Sequence, residues 1–221
     1  MRTIRAATFV SIDGVMQAPG GPEEDPSGGF RYGGWNFPWW DEALERLMGD
    51  AMGEAYDLLL GRRTYEIFAA HWPYQDDDIG RAFNAANKYV AAGPETPLDW
   101  ANSHRLEGDV PAAVRALKAT DGPDLLIHGS SELTQSLLAH DLIDRMTILT
   151  FPIVLGPGKR LFDERGRPHV WELVSSGVSS TGVIVATYSR GGEVPTGSFA
   201  PDRPSEAELA RRERWAAEDG A

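Results

Sequence analysis

The chain has 221 residues, 42% of them hydrophobic and 10% aromatic, enough for one well-buried core. With 21 Lys plus Arg against 33 Asp plus Glu, a net charge of -12 and a pI near 4.8 argue against nucleic acid as a partner. The absence of cysteine excludes disulfides, thiolate metal sites and cysteine nucleophiles, and suits a cytoplasmic protein.

In chain order, "TIRAATFV" (3–10) reads as a strand ended by Asp13-Gly14. The start "MRTIRAATFVSIDG" has too short an apolar run for a signal peptide, and no stretch approaches a membrane span. Residues 17–38 form a Gly/Pro-rich loop far longer than most connections, and long loops in compact domains are often functional. In 40–55, apolar residues at 44, 47, 48, 51 and 52 have the spacing of an amphipathic helix. "YDLLLG" (56–61) reads as a buried strand, followed by a helix from Arg63 or Thr64, and "QDDD" (75–78) as a solvated loop. A strand at 88–93, a helix capped by Asp109, a strand at 124–129 and a helix in "SSELTQSLLAHDLI" follow. A β-rich run covers 144–156, and two antiparallel strands flank the Thr181-Gly182 turn. This order predicts an α/β fold: a mostly parallel central sheet, helices on both faces and an antiparallel C-terminal hairpin. Residues 1–190 are expected to form one domain and 191–221 a polar C-terminal extension, where Ser205 and Glu208 have capping-box spacing.

In such sheets ligands bind beyond the carboxyl ends of the strands, where helix N-termini attract anions. Gly61, Arg62, Arg63 and Thr64 stand at one strand-to-helix turn. There the arginines either meet phosphate or lie on solvent and pair with nearby Glu and Asp, and Thr64 either caps the helix or donates to the ligand. Gly129, Ser130 and Ser131 stand at a second such turn, as N-caps or as phosphate ligands, and two anion-ready turns suggest a dinucleotide spanning them. Asp13 either faces the reacting groups or holds an Asx turn. His128 ends a strand at the ligand edge, and Trp35, Phe37, Trp39 and Trp40 either stack on a flat heterocycle or cover the sheet. "GPGKR" (156–160) lacks the features of a P-loop, and no metal site is supported.

"SIDGV", the loop ending in "FPWW", "LLLGRRTYEIF", "KYVAAG", "LLIHGSSELTQSLLAHDLID" and "FPIVLGPGKRLF" occur in the order found in the dihydrofolate reductase-like superfamily. The chain most resembles the branch holding the reductase domain of the bifunctional riboflavin-biosynthesis deaminase-reductase and its single-domain relatives, over residues 3 to 190. The resemblance implies an NADPH-dependent reductase of a pteridine-like or riboflavin-precursor-like heterocycle. Both turns would hold cofactor phosphates, Asp13 would serve catalysis, and Asp41, Glu42 or Glu45 would stand where these reductases carry a substrate-binding carboxylate. Two departures stand out: Ser130 replaces a common glycine, and Ala91, Ala92 and Gly93 replace the Ser or Arg that relatives often place near the 2′-phosphate. His128, Trp39 and Asp41 are the expected substrate contacts, and a homodimer is the expected assembly. A non-catalytic nucleotide-binding sensor or scaffold of the same fold is the alternative.

Overall fold

The computed structural model describes residues 1–53, 55–163, 166–199 and 203–219. Its frame is one eight-stranded sheet: β1 (Ile4–Ser11), β2 (Tyr56–Gly61), β3 (Lys88–Ala91), β4 (Ser103–Arg105), β5 (Asp124–His128), β6 (Arg145–Phe151), β7 (Trp171–Val178) and β8 (Ile184–Arg190). The spatial order is β4-β3-β2-β5-β1-β6-β8-β7. Neighbours from β4 to β6 pair in parallel, while β8 runs antiparallel to both β6 and β7.

The parallel strands are sandwiched, which is why "LLL" can be apolar on both faces. Leu59, Leu125 and Ile127 face one layer, made by α4 (Val110–Lys118) and α5 (Ser131–Ala139) through Val114, Leu133 and Leu137. Leu58, Leu60 and Leu126 face the other, made by α2 (Arg62–His71) and α3 (Asp78–Ala85) through Tyr65 and Phe83. Leu58, Leu59 and Leu60 have no exposed surface, so each contributes about 1.5–3 kcal/mol of burial. On the β6–β8 side, α1 (Glu42–Met52) packs Leu44 among Leu149, Phe151 and Val185.

Three elements differ from the sequence expectation. The "QDDD" segment is exposed, yet Asp77 accepts a hydrogen bond from the Gly80 N–H and starts α3. β4, with only three residues and no alternation to betray it, completes the sheet edge. The β-rich run to residue 156 leaves the sheet after Phe151. Within the C-terminal extension, α6 (Glu206–Asp219) begins with the Glu208 N–H donating to Ser205 Oγ. Among the described residues no helix is long and apolar enough to cross a membrane.

Candidate active site

A cavity of about 780 Å³ opens at the carboxyl ends of β1, β2, β3 and β5, beside the switch in strand order between β5 and β1. The first turns of α2 and α5 open onto it, and residues 16–21, 24 and 25 of the long loop form one wall.

How the helices begin is informative. Asp41, Asp77 and Asp109 cap α1, α3 and α4 by accepting from the N–H groups of Leu44, Gly80 and Ala112. The N-caps of α2 and α5 are Gly61 and Ser130, and neither supplies a side-chain cap. The two helices aimed at the cavity therefore keep their first-turn N–H groups and the positive end of their dipoles available to an anion.

Ser130 is engaged elsewhere. Its hydroxyl accepts from the Gly61 N–H at 2.9 Å and donates to Thr64 Oγ1 at 2.7 Å, joining the two turns. The backbone there follows Gly129 at φ 88° with Ser130 at φ 65°, the left-handed region that a glycine occupies without strain. Gly61 has ordinary extended backbone angles. It is glycine because a Cβ would stand 3.2 Å from Ser130 Oγ and 3.3 Å from its Cβ. Thr64, having accepted from Ser130, keeps its own proton for a cavity ligand. Ser131 opens α5 on the cavity wall.

The cations are already paired. Arg62 donates to both Glu66 oxygens at 2.9 Å, and Arg63 reaches Ser27 Oγ at 3.1 Å and Asp25 at 3.5 Å. Lys159, in the segment that fails as a P-loop, forms an ion pair with the same Asp25. Gln17 organises this loop: its Nε2 donates to the carbonyls of Asp25 and Ser27, its Oε1 accepts from the Lys159 N–H, and its carbonyl accepts from Trp35 Nε1.

Deeper in the cavity wall lie Thr8 and His128. The Thr8 hydroxyl and His128 Nδ1 are buried and find no hydrogen-bond partner among the described residues. Such atoms are costly unless a ligand meets them. Phe9, Phe68 and Phe83 surround the imidazole with ring centroids 5.6 to 6.0 Å away. That burial holds its pKa down at about 4, so it is neutral at pH 7 and can hydrogen-bond without carrying charge. Glu24 is the opposite case: burial raises its pKa despite hydrogen bonds from the N–H groups of Gly20 and Gly21. Its carboxyl lines the same cavity.

Three expected site residues stand outside this cavity. Asp13 accepts from Ser11 Oγ, from the N–H groups of Leu155 and Gly156, and faces Arg160 at 3.6 Å. Burial pushes its pKa up, but the hydrogen bonds from Ser11, Leu155 and Gly156 outweigh it and hold the carboxyl at about 2. It braces the 155–160 segment against the end of β1. Asp41 caps α1 and also binds Ser180 Oγ and the Thr181 N–H, locking the C-terminal hairpin turn. Trp39 packs against the core between α1 and the sheet, its carbonyl accepting from Thr181 Oγ1. Among the described residues no group of three or more His, Asp or Glu stands where it could hold a metal ion.

The arrangement joins uncapped helix starts, which suit an anion, to unpartnered buried polar atoms, which suit a hydrogen-bonding group. Residues 2–185 match the family model described as the RibD C-terminal domain. Two curated proteins of Bacillus subtilis (strain 168) are similar. YyaP is 24% identical over 148 residues, 63% of this chain and 76% of its own length. YwjB is 33% identical over 111 residues, 48% of this chain and 58% of its own. Among solved structures, a putative riboflavin biosynthesis protein from Shewanella sp. PV-4 superposes with a TM-score of 0.59 at 22% identity, over 86% of this chain and 99% of its own. Dihydrofolate reductase from Enterococcus faecalis, in complex with NADP(H) and RAB-propyl, gives 0.54 at 15% identity, over 85% and 96%. A pyrimidine reductase-like protein from Corynebacterium diphtheriae gives 0.53 at 15%, over 87% and 93%. These structural likenesses are likenesses of fold.

Proposed function

Because the chain belongs to the RibD C-terminal domain family, we propose that it is a reductase that binds a nicotinamide dinucleotide across the starts of α2 and α5 and reduces a C=N or C=O bond of a small heterocycle. The observation that carries the reading is the contrast in capping. Among the described α-helices, the two that lack a side-chain cap, α2 and α5, are the two whose whole first turns line the cavity, while α4, capped by Asp109, reaches it through Val110 alone.

The dinucleotide, when bound, supplies the hydride. The protein's part is to hold the pyrophosphate on the N–H groups of residues 62–64 and 131–133, with Thr64 donating to it. The Thr8 hydroxyl and His128 Nδ1 orient the reacting end, and the aromatic wall around His128 keeps water from it. Reduction of a C=N or C=O bond also needs a proton, and the candidate donor is Glu24, a cavity carboxyl whose pKa burial raises. The pteridine-like or riboflavin-precursor-like substrate class rests on the family. Homodimer formation is proposed with it, supported by the apolar side chains that edge strand β7 exposes, Leu173, Val174 and Val178.

The test is oxidation of NADH and NADPH, followed by absorbance, with a panel of pteridines, pyrimidines and riboflavin precursors. Turnover with one of them supports the reading. Tight dinucleotide binding with no turnover across the panel would favour the sensor or scaffold alternative, and absence of binding would sink both.

A further inference from the structure

The cavity is longer than the phosphate site, and what lies at its far end bears on which dinucleotide it takes. The phosphate-ready helix starts stand over β2 and β5. In one direction the next strand is β1, where residues 16–25, Phe9 and His128 enclose the cavity. In the other it is β3, where the wall is Ala91, Ala92, Gly93 and the exposed Glu95. Hydride transfer requires the enclosed end, so the adenosine belongs at the open one. An adenosine ribose running from that pyrophosphate toward the open end would meet the wall beyond β3, the strand about 4.8 Å from β2.

The charge around the cavity as a whole is unfavourable for a 2′-phosphate. Three cations line the cavity, Arg62, Arg63 and Lys159, against four carboxylates, Glu24, Asp25, Glu95 and Glu132. Each cation already has a carboxylate partner, Glu66 or Asp25. Arg105, on β4, spends its guanidinium on the carbonyls of Ala92, Gly93 and Thr96 and so shapes the loop that carries Glu95. Glu95 itself has no ion pair or hydrogen bond among the described residues. Its carboxylate lies against Gly93, where any Cβ would collide with it. An unpaired carboxylate in an anion-binding cavity is costly beside a phosphate and useful beside hydroxyls, since it accepts hydrogen bonds from a vicinal diol.

We propose that Glu95 selects the unphosphorylated ribose, so that this protein uses NADH in preference to NADPH. The inference rests on the dinucleotide reading above and departs from the NADPH that the family resemblance implies.

Dissociation constants for NADH and NADPH, measured by calorimetry on the full chain at fixed ionic strength, test it without turnover. The wild-type protein is expected to bind NADH about tenfold more tightly, and Glu95→Gln to lose most of that ratio by gaining affinity for NADPH. Glu95→Arg should reverse the order. Because Glu95 is exposed and unbonded, both variants should melt with the wild type, and the melting temperature checks this. Wild-type preference for NADPH, or a ratio unaltered in Glu95→Gln, would overturn the assignment and leave the dinucleotide reading standing. Binding of neither dinucleotide would overturn both.

Discussion

Ser130 occupies a position where backbone strain and hydrogen bonding oppose each other, and two substitutions separate them. Ser130→Ala removes the hydroxyl that joins Gly61 N–H to Thr64 Oγ1 but keeps a Cβ at φ 65°. Two net hydrogen bonds at about 0.5–1.5 kcal/mol each, one of them leaving a backbone N–H without its acceptor, set the loss at about 2 kcal/mol. Ser130→Gly loses the same bonds and relieves a left-handed conformation that costs an L-residue about 1–2 kcal/mol, less the greater chain entropy of unfolded glycine. Its net loss should be about 1 kcal/mol. For a chain of this size that corresponds to a melting temperature lower by about 4–8 °C in Ser130→Ala and about half that in Ser130→Gly. Dinucleotide affinity should respond differently from stability. Both variants lack the tie between the two turns, so both should weaken binding alike. Urea unfolding and calorimetric titration measure the two quantities on the same preparations. An alanine variant as stable as wild type, or no more damaged than the glycine variant, would refute the reasoning that the hydroxyl compensates a strained backbone.

Arg62→Ala combined with Arg63→Ala should weaken dinucleotide binding by about 1–3 kcal/mol, discounted because both guanidinium groups are half exposed and already paired; unchanged affinity in a folded protein would remove them from the site. Asp25→Asn should free Arg63 and Lys159 for phosphate, raising dinucleotide affinity about threefold to tenfold while making the 17–38 loop easier to cut with protease; unaltered affinity would show that Asp25 does not compete with the ligand. Asp13→Asn should lower stability by about 2 kcal/mol through lost charge-assisted bonds to Leu155 and Gly156 and leave turnover per folded molecule largely intact; the reverse pattern would return Asp13 to catalysis. His128, with its pKa depressed from 6.5 to about 4, is matched in the unfolded chain by a form that takes up a proton first as pH falls. The stability it confers is fully present above pH 6.5 and is lost towards pH 4, by about 3 kcal/mol, and His128→Asn should flatten that part of the stability profile.

Period and punctuation carried the frame because each parallel strand buries both faces and each helix one. "YDLLLG", "DLLIHG" and the spacing of residues 44, 47 and 48 are local consequences of global burial. The two turns at 61–64 and 129–131 were legible for the same reason: a strand that ends in glycine before a helix start is a local signal, and both line the cavity. What a window of sequence cannot hold is a partner far along the chain. Asp13 looks like a reactive carboxylate beside a turn until its acceptors are seen to be filled by N–H groups 142 and 143 residues away. Asp41, equally, is committed to a hairpin turn 139 and 140 residues downstream.

The converse case follows from the same cause. Thr8, Glu24 and Glu95 carry no motif, since only the fold brings them to one cavity from a strand and two separate loops, and Lys159 lies in a stretch, "GPGKR", that reads only as a failed P-loop. Thr8 alone left a trace, a hydroxyl within the otherwise buried "TIRAATFV" run, where a polar atom needs a reason to be. A carboxylate already saturated by its own backbone is positioned to hold the fold, while a buried hydroxyl or a carboxylate with no partner is positioned to meet something else. By that criterion we propose Asp13 and Asp41 for the scaffold, and Thr8, His128 and Glu95, which line the cavity without partners of their own, for contact with a ligand.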